Sequence, residues 1–147
     1  MKLTRRGHYS VQAMLDLALQ GRDRPVSVAE MAQRQQIPAP LLEKLLIELR
    51  RAGLVRSRRG VHGGYLLNRP PRQISLSEIL QAVGDTSSPL PRLPADEAQT
   101  DDWVARLVWV RLAQSWERAL AAIALEDLYY DACSYRARRQ RDAEYTI

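Results

Sequence analysis

Two short helical patterns followed directly by a glycine-rich turn constrain the fold of this chain more than any other feature. Ser27 and Glu30 have the spacing of a capping box, in which each side chain accepts a hydrogen bond from a free N–H at a helix start. The helix that begins there extends to about Gln35, because Pro38 cannot continue it. A second helix over 39–51 places four leucines on one face, Leu42, Leu45, Leu46 and Leu49. This order predicts a helix-turn-helix pair.

The segment after this pair has the pattern of a β-hairpin. Two short strands are predicted at 54–58 and 65–68, on either side of a glycine-rich turn at 60–64. Glycines tolerate the positive φ angles that tight turns require. A hairpin directly after a helix-turn-helix pair predicts a mainly α fold with a small β-hairpin wing, known as a winged helix-turn-helix domain.

A proline-rich segment divides the rest of the chain. Helical patterns over 6–20 and 75–83 precede it, and Ser75 and Glu78 form a second capping box at the start of the later one. Three prolines prevent regular structure over 85–101. A long helical pattern at 102–123 follows, with a short further helix after it. We therefore expect a winged helix-turn-helix domain at 1–84, a proline-rich loop at 85–101, a dimerisation helix with a short following helix at 102–135, and a charged, frayed tail at 136–147.

The long helix carries an apolar stripe that is wider than one small domain can cover. Its members recur at helical spacing: Val104, Val108, Leu112, Trp116, Leu120 and Ile123. A second copy of the chain would cover the stripe, so the pattern favours a homodimer. The alternative is that the stripe packs against the winged domain of its own chain.

The distribution of charge indicates a polyanionic partner. The net charge is +5, and the window from Leu49 to Ser77 contains seven arginines but no Asp or Glu. Such a one-sided window suits the phosphates of double-stranded DNA, although an ordinary solvated basic surface is the alternative. The residues expected to contact DNA lie on the second helix and on the wing: Ala39, Pro40, Glu43, Lys44, Arg50, Arg51, Arg58, Arg59, Gly60, His62 and Gly63.

The helix and the wing have different expected tasks. A helix of this kind enters the major groove, where Glu43 can accept from a cytosine amino group and Lys44 can donate to guanine or a phosphate. An arginine such as Arg59, beside a turn of small residues, suits a narrow minor groove with enhanced negative potential. The alternatives are a solvated helical face for Glu43 and Lys44, and a plain hairpin with solubilising arginines for the wing.

Five segments of the chain resemble the Rrf2 family of winged helix-turn-helix transcription regulators, which includes the IscR, NsrR and CymR proteins. They are Met1–Thr4, Tyr9, Ala13–Asp16, Leu49–Val55 and Arg59–Leu67. The resemblance is close over 1–84 and looser to about residue 130, and His62 departs from the glycine that the family often has there. It implies a homodimer, built through the long C-terminal helix, that regulates transcription from a pseudo-palindromic operator.

The resemblance also implies a sensory function in many members. The best-known sensors hold an iron–sulfur cluster with three cysteines in the loop before the dimerisation helix, whereas this chain has no cysteine between residues 84 and 132. His8 occupies a position where NsrR-like members place a ligand other than cysteine. A dimer with two copies of His8 and Cys133 would have enough ligands for a 2Fe–2S cluster of mixed type. The alternatives are a capping or DNA-facing His8 and a small, half-buried Cys133.

Other classes of protein have little support in the sequence. Two histidines and one cysteine form no metalloprotease motif, nucleophile elbow or P-loop, so an enzyme is not expected. A cluster-free winged-helix module that binds protein or RNA is the alternative function. No apolar run approaches the ~20 residues of a membrane-spanning helix, and the basic N-terminus lacks the apolar segment of a signal peptide. We therefore expect no membrane association and a cytoplasmic location.

Overall fold

The structure is a computed structural model that describes residues 4–85 and 103–145. Within these ranges it is mainly α-helical with one small β-hairpin, which confirms the predicted fold class. The elements in chain order are α1 (Arg5–Gln20), α2 (Val28–Gln35), α3 (Ala39–Arg51), β1 (Val55–Arg58), β2 (Gly64–Leu67), a 3-10 turn (Pro71–Gln73), α4 (Leu76–Ala82), α5 (Trp103–Ala122) and α6 (Leu125–Glu144).

Both predicted capping boxes are present. The Ser27 hydroxyl accepts from the Glu30 N–H at 3.2 Å, and the Glu30 carboxylate accepts from the Ser27 N–H at 3.1 Å. Ser75 and Glu78 repeat the arrangement at the start of α4, at 3.2 and 2.9 Å. In each box the serine backbone N–H that donates to the glutamate is the main cause that lowers the pKa of that carboxyl group.

The first three helices pack around a leucine-rich core. The four leucines predicted on one face of α3 are fully buried, together with Met14 of α1 and Met31 of α2. Asp16 is 1% exposed and accepts two hydrogen bonds from Arg34, at 2.7 and 2.8 Å, and one from Gln35 at 2.8 Å. The hydrogen bonds that Arg34 donates to Asp16 raise the pKa of the Arg34 guanidinium group. This buried cluster fixes α2 against α1.

The hairpin is joined to the helical core along its second strand. β1 and β2 pair antiparallel with Val55 opposite Leu67 and Arg58 opposite Gly64. On the other side of β2, Val26 and Tyr65 exchange two backbone hydrogen bonds, at 3.0 and 2.8 Å. A side chain at position 64 would collide with the Val26 carbonyl oxygen, so glycine permits the close approach. The wing therefore has a fixed base.

The C-terminal helices differ from the sequence prediction in one respect. α5 lies close to the predicted range, but the short following helix and the frayed tail are wrong: α6 is continuous over 20 residues, Leu125–Glu144. The Ala124 N–H donates to Asp127 at 2.8 Å and so caps the helix start. No Gly or Pro occurs within the helix, and its Ala, Arg, Gln and Glu content favours helix. The predicted loop lies outside the described residues except for Asp85.

The corner between α5 and α6 is attached to the winged domain. The Leu76 N–H donates to the Ile123 carbonyl, and the Leu125 N–H donates to the Ile74 carbonyl, both at 2.8 Å. Leu125 and Ile74 are fully buried. α6 therefore begins in the core of the winged domain. Among the described helices, none has the length and apolar character needed to cross a bilayer.

Candidate nucleic-acid interface

Helix α3 has one buried face and one exposed face. The exposed face carries Ala39, Pro40, Glu43 and Lys44, while the leucines between them point into the core. Pro40 lies in the first turn, where its missing N–H removes no intrahelical hydrogen bond. The start of α3 thus presents two small apolar residues and two charged side chains on one accessible surface.

The tip of the wing is exposed. Arg58, Arg59 and His62 are accessible, and the Gly63 N–H closes the turn by donating to the Gly60 carbonyl at 3.0 Å. A Cβ atom on Gly63 would collide with the Arg58 carbonyl oxygen, so a larger residue would force the turn open. The glycines therefore allow a narrow tip with arginines at its base.

Val61 is a feature of the tip that the sequence prediction left out. Its side chain is 98% exposed, at the apex between Gly60 and His62. The signal was present in the sequence, since an apolar residue in the middle of a glycine-rich turn cannot be covered by its own hairpin. Its position makes it a candidate for apolar contact with a ligand.

Arg50 connects the end of α3 to the wing. Its guanidinium Nη1 donates to the hydroxyl of Ser57 on β1 at 3.2 Å. Arg51 follows it in the last turn of α3 and is exposed. The helix and the wing are therefore parts of one surface, and both predicted arginines lie where the two elements meet.

The acid-free window keeps most of its positive charge in the folded protein. Arg69 is neutralised by Glu78 at 2.8 Å. The other six arginines of the window have no carboxylate within 4.0 Å in the part of the chain that the structure describes. The nearby carboxylate of Glu48 is paired with Arg6 at 2.6 Å. The surface made by α3 and the wing thus carries an excess of positive charge that suits phosphates.

The two residues predicted as cluster ligands lie on different helices. His8 is exposed near the start of α1, with its ring centroid 6.1 Å from that of Tyr9. Cys133 is half-buried on α6, and its hydrogen bond with Tyr129 raises the pKa of that phenol. In the described ranges, no group of three or more His, Cys, Asp or Glu side chains can hold a metal ion.

The donor set therefore does not fit the three-cysteine cluster of the family's best-known sensors. Thiolates are the usual ligands of iron–sulfur clusters, and the one cysteine of each chain supplies a single thiolate. The mixed cluster with His8 and Cys133 from two chains stays a prediction.

Comparison with protein families identifies one that covers most of the chain. A family model described as "Rrf2: Iron-dependent Transcriptional regulator" matches residues 3–131. A Synechocystis protein named "Putative HTH-type transcriptional regulator" is 50% identical over 147 residues, and the match covers all of both chains. The HTH-type transcriptional regulator IscR of Xenorhabdus nematophila is 39% identical over 130 residues, with 87% of this chain and 79% of IscR covered.

Solved structures agree with this comparison. CymR, the global cysteine regulator of B. subtilis, superposes with a TM-score of 0.76 at 31% identity, over 88% of this chain and 97% of CymR. IscR of T. potens superposes with a TM-score of 0.72 at 39% identity, over 90% of this chain and 88% of IscR.

Proposed function

The chain belongs to the Rrf2 family of winged-helix transcriptional regulators, which are not enzymes, and on that premise we propose that it binds a pseudo-palindromic DNA operator as a homodimer. One observation carries the proposal. The exposed face of α3 and the acid-free wing form a single accessible surface, joined through Arg50 and Ser57.

In this proposal α3 reads the major groove of each half-site. Glu43 and Lys44 are exposed and have no ion-pair partner in the described part of the chain, so both are available to base edges. A carboxylate accepts from the amino group of cytosine, and an ammonium group donates to guanine. Ala39 and Pro40 lie at the same end of the helix and allow close approach to a thymine methyl group.

The wing reaches an adjacent minor groove. Arg59 is exposed beside the narrow glycine turn, and an arginine inserted into a narrow minor groove is attracted by its enhanced negative potential. His62 and Val61 lie at the same tip, so the fit of the wing in the minor groove depends on these two side chains as well as on the glycine backbone. When α3 and the wing bind together, positively charged side chains lie along both the major and the minor groove.

The dimer is supported by the state of α5 in the single chain. None of its residues is buried, Trp103 is 64% exposed, and Val108 is 47% exposed. Its large apolar side chains are exposed together: Trp103, Val104, Leu107, Val108, Trp109, Val110 and Leu112. Trp116 and Leu120 of the stripe are half-buried and α5 contacts α4, whereas Val104, Val108 and Leu112 are exposed. A symmetric contact with a second α5 is the cover that we propose for this exposed part.

Selection from a random-sequence DNA library tests the proposed function. The full-length protein is expected to enrich an inverted repeat, with half-sites spaced by whole turns of the double helix. Arg59→Ala is expected to weaken binding to the selected operator, whereas Arg138→Ala, which removes an exposed arginine on α6, is the charge-matched control and should bind as the wild type does. Recovery of no sequence motif, with binding only to RNA or protein, would overturn the proposal in favour of an interaction module.

The cofactor requires a separate test because the family description names iron. The protein is purified anaerobically, and its visible absorbance and iron content are measured. A cluster held by His8 and Cys133 predicts bound iron that both His8→Ala and Cys133→Ala remove. Colourless, iron-free protein under these conditions would exclude the cluster and leave a cluster-free regulator.

A further inference from the structure

A polar depression lies beside the base of the wing, outside the surface described so far. It has a volume of about 440 Å³ and is lined by Arg22 and Asp23 from the turn after α1, Arg56 of β1, Leu67 of β2, and Asn68. Arg22 and Arg56 are both exposed. The depression thus brings together two arginines that are 34 positions apart in the sequence.

The guanidinium groups of this depression are available to a ligand. Neither arginine has a carboxylate within 4.0 Å in the described ranges, whereas the neighbouring Arg24 is paired with Glu30 at 3.5 Å. Asp23 lines the same depression and leaves it with a net charge of one positive unit. The Asn68 amide donates to the Gly53 carbonyl at 3.0 Å, so the two arginines are the main free hydrogen-bond donors of the depression.

The depression continues the row of arginines on the wing. Arg56 and Arg58 are two residues apart on β1, so their side chains leave the same face of the hairpin, about 6.6 Å apart along the strand. Arg22 lies beside Arg56 in the depression, and Arg59 follows Arg58 at the start of the exposed turn. Exposed arginines are therefore present from the turn between α1 and α2 to the tip of the wing.

We propose that Arg22 and Arg56 bind a phosphate of the DNA backbone next to the groove that the wing enters. The guanidinium group binds phosphate oxygens in a bidentate manner, and two of them around one depression match a single phosphodiester. The proposal rests on the proposed DNA-binding function and adds a contact that holds the duplex in position. Contacts to phosphate carry no direct sequence information, so the contact strengthens binding to operator and unrelated DNA alike.

The experiment compares the double variant Arg22→Ala/Arg56→Ala with the charge-matched double variant Arg136→Ala/Arg138→Ala on α6. Dissociation constants are measured between 50 and 200 mM KCl, for the selected operator and for an unrelated duplex of the same length. The slope of log affinity against log salt is expected to fall by about 0.9 for each phosphate contact removed. Each lost contact therefore reduces the affinity change over this salt range by about 3.5-fold.

The controls separate this contact from general electrostatics. Asp23→Asn is expected to strengthen binding to both duplexes, and the α6 double variant is expected to keep the wild-type slope. Equal slopes for the two double variants would overturn the proposal. Arg22→Gln/Arg56→Gln, which keeps polar side chains of similar length, is expected to repeat the result if the alanine variant unfolds.

Two further outcomes identify which proposal has failed. Wild-type protein that selects no operator contradicts the proposed function itself. Selection of an operator that Arg59→Ala binds more weakly, together with an unchanged slope for Arg22→Ala/Arg56→Ala, contradicts this contact alone.

Calorimetric titration of the DNA-free protein with inorganic phosphate is expected to show no saturable binding. Saturable binding that the double variant abolishes would assign the site to a free anion instead of DNA.

Discussion

Helices α3 and α5 are both rich in apolar residues but differ in how much of that apolar surface is buried. α3 has 13 residues and buries four leucines completely, whereas α5 has 20 residues and buries none. The packing around α3 is complete within one chain, whereas the large apolar side chains at the start of α5 remain exposed. The comparison shows that the core around α3 is completed within one chain, whereas the proposed homodimer would be needed to cover the exposed part of α5.

The largest expected effect is on the dimer. Val108→Asp places a carboxylate in the proposed contact twice, once from each chain, and each buried charge costs several kcal/mol. We expect the protein to become monomeric in sedimentation equilibrium at micromolar concentration, with the far-UV circular dichroism of the winged domain retained. Gln114→Asp, at an exposed polar position of the same helix, is the control. A dimer that persists in Val108→Asp would remove α5 from the interface.

The next effect concerns the completed core. Leu46 is fully buried in α3, so Leu46→Ala is expected to lower the free energy of unfolding by about 2–5 kcal/mol. Urea unfolding measures it, and the loss should be independent of protein concentration. For Leu112→Ala on α5 we expect a loss that appears only where the dimer forms. Equal, concentration-independent losses would mean that α5 is covered within its own chain.

A smaller effect is expected on the reading face of α3. Glu43→Ala leaves the buried leucines in place and removes one carboxylate from the surface. Loss of a contact to a base edge is worth about 1–3 kcal/mol and relaxes the choice of base at one operator position. Competitive binding to operators substituted at each position measures it. If the preference at every position stayed unchanged, Glu43 would belong to an ordinary solvated face.

The smallest effect is the dependence of stability on pH. The pKa values of Glu30 and Glu78 are lowered in the folded protein, because serine N–H groups donate to their carboxylates. Their contribution is complete above the ordinary glutamate pKa and is lost as the pH falls through the lowered values. The double variant Glu30→Gln/Glu78→Gln is expected to show a shallower fall in thermal midpoint between pH 6 and 3. A slope equal to that of the wild type would contradict this assignment.

Local signals explain what the sequence predicted well. A capping box and a glycine-rich turn each depend on residues within five positions of one another, so both boxes and the hairpin are found where they were expected. The length of α6 does not follow from charge alone. The charged residues predict a frayed tail at 136–147, but the segment as far as Glu144 contains Ala, Arg, Gln and Glu and no helix breaker, so it continues α6.

Contacts between residues that are far apart in the chain cannot be predicted from a single sequence. Packing of the fold brings the Asp16 carboxylate to Arg34 and Gln35, and it brings Arg22 and Arg56 to one depression. No repeat in the sequence indicates either contact. The candidate contacts on α3 and the wing were accessible to sequence reasoning, because charge and turn chemistry mark them. The proposed dimer through α5 would combine the contacts of two chains.

The affinity of the protein for the complete operator, compared with a duplex that carries one half-site, tests the central claim most directly. If α5 joins two reading units, the complete operator binds about 10²–10⁴-fold more tightly, since the second half-site is bound within the same complex. Val108→Asp should then bind both duplexes with similar affinity. Equal affinities of the wild-type protein for the two duplexes would contradict a dimer that reads two half-sites.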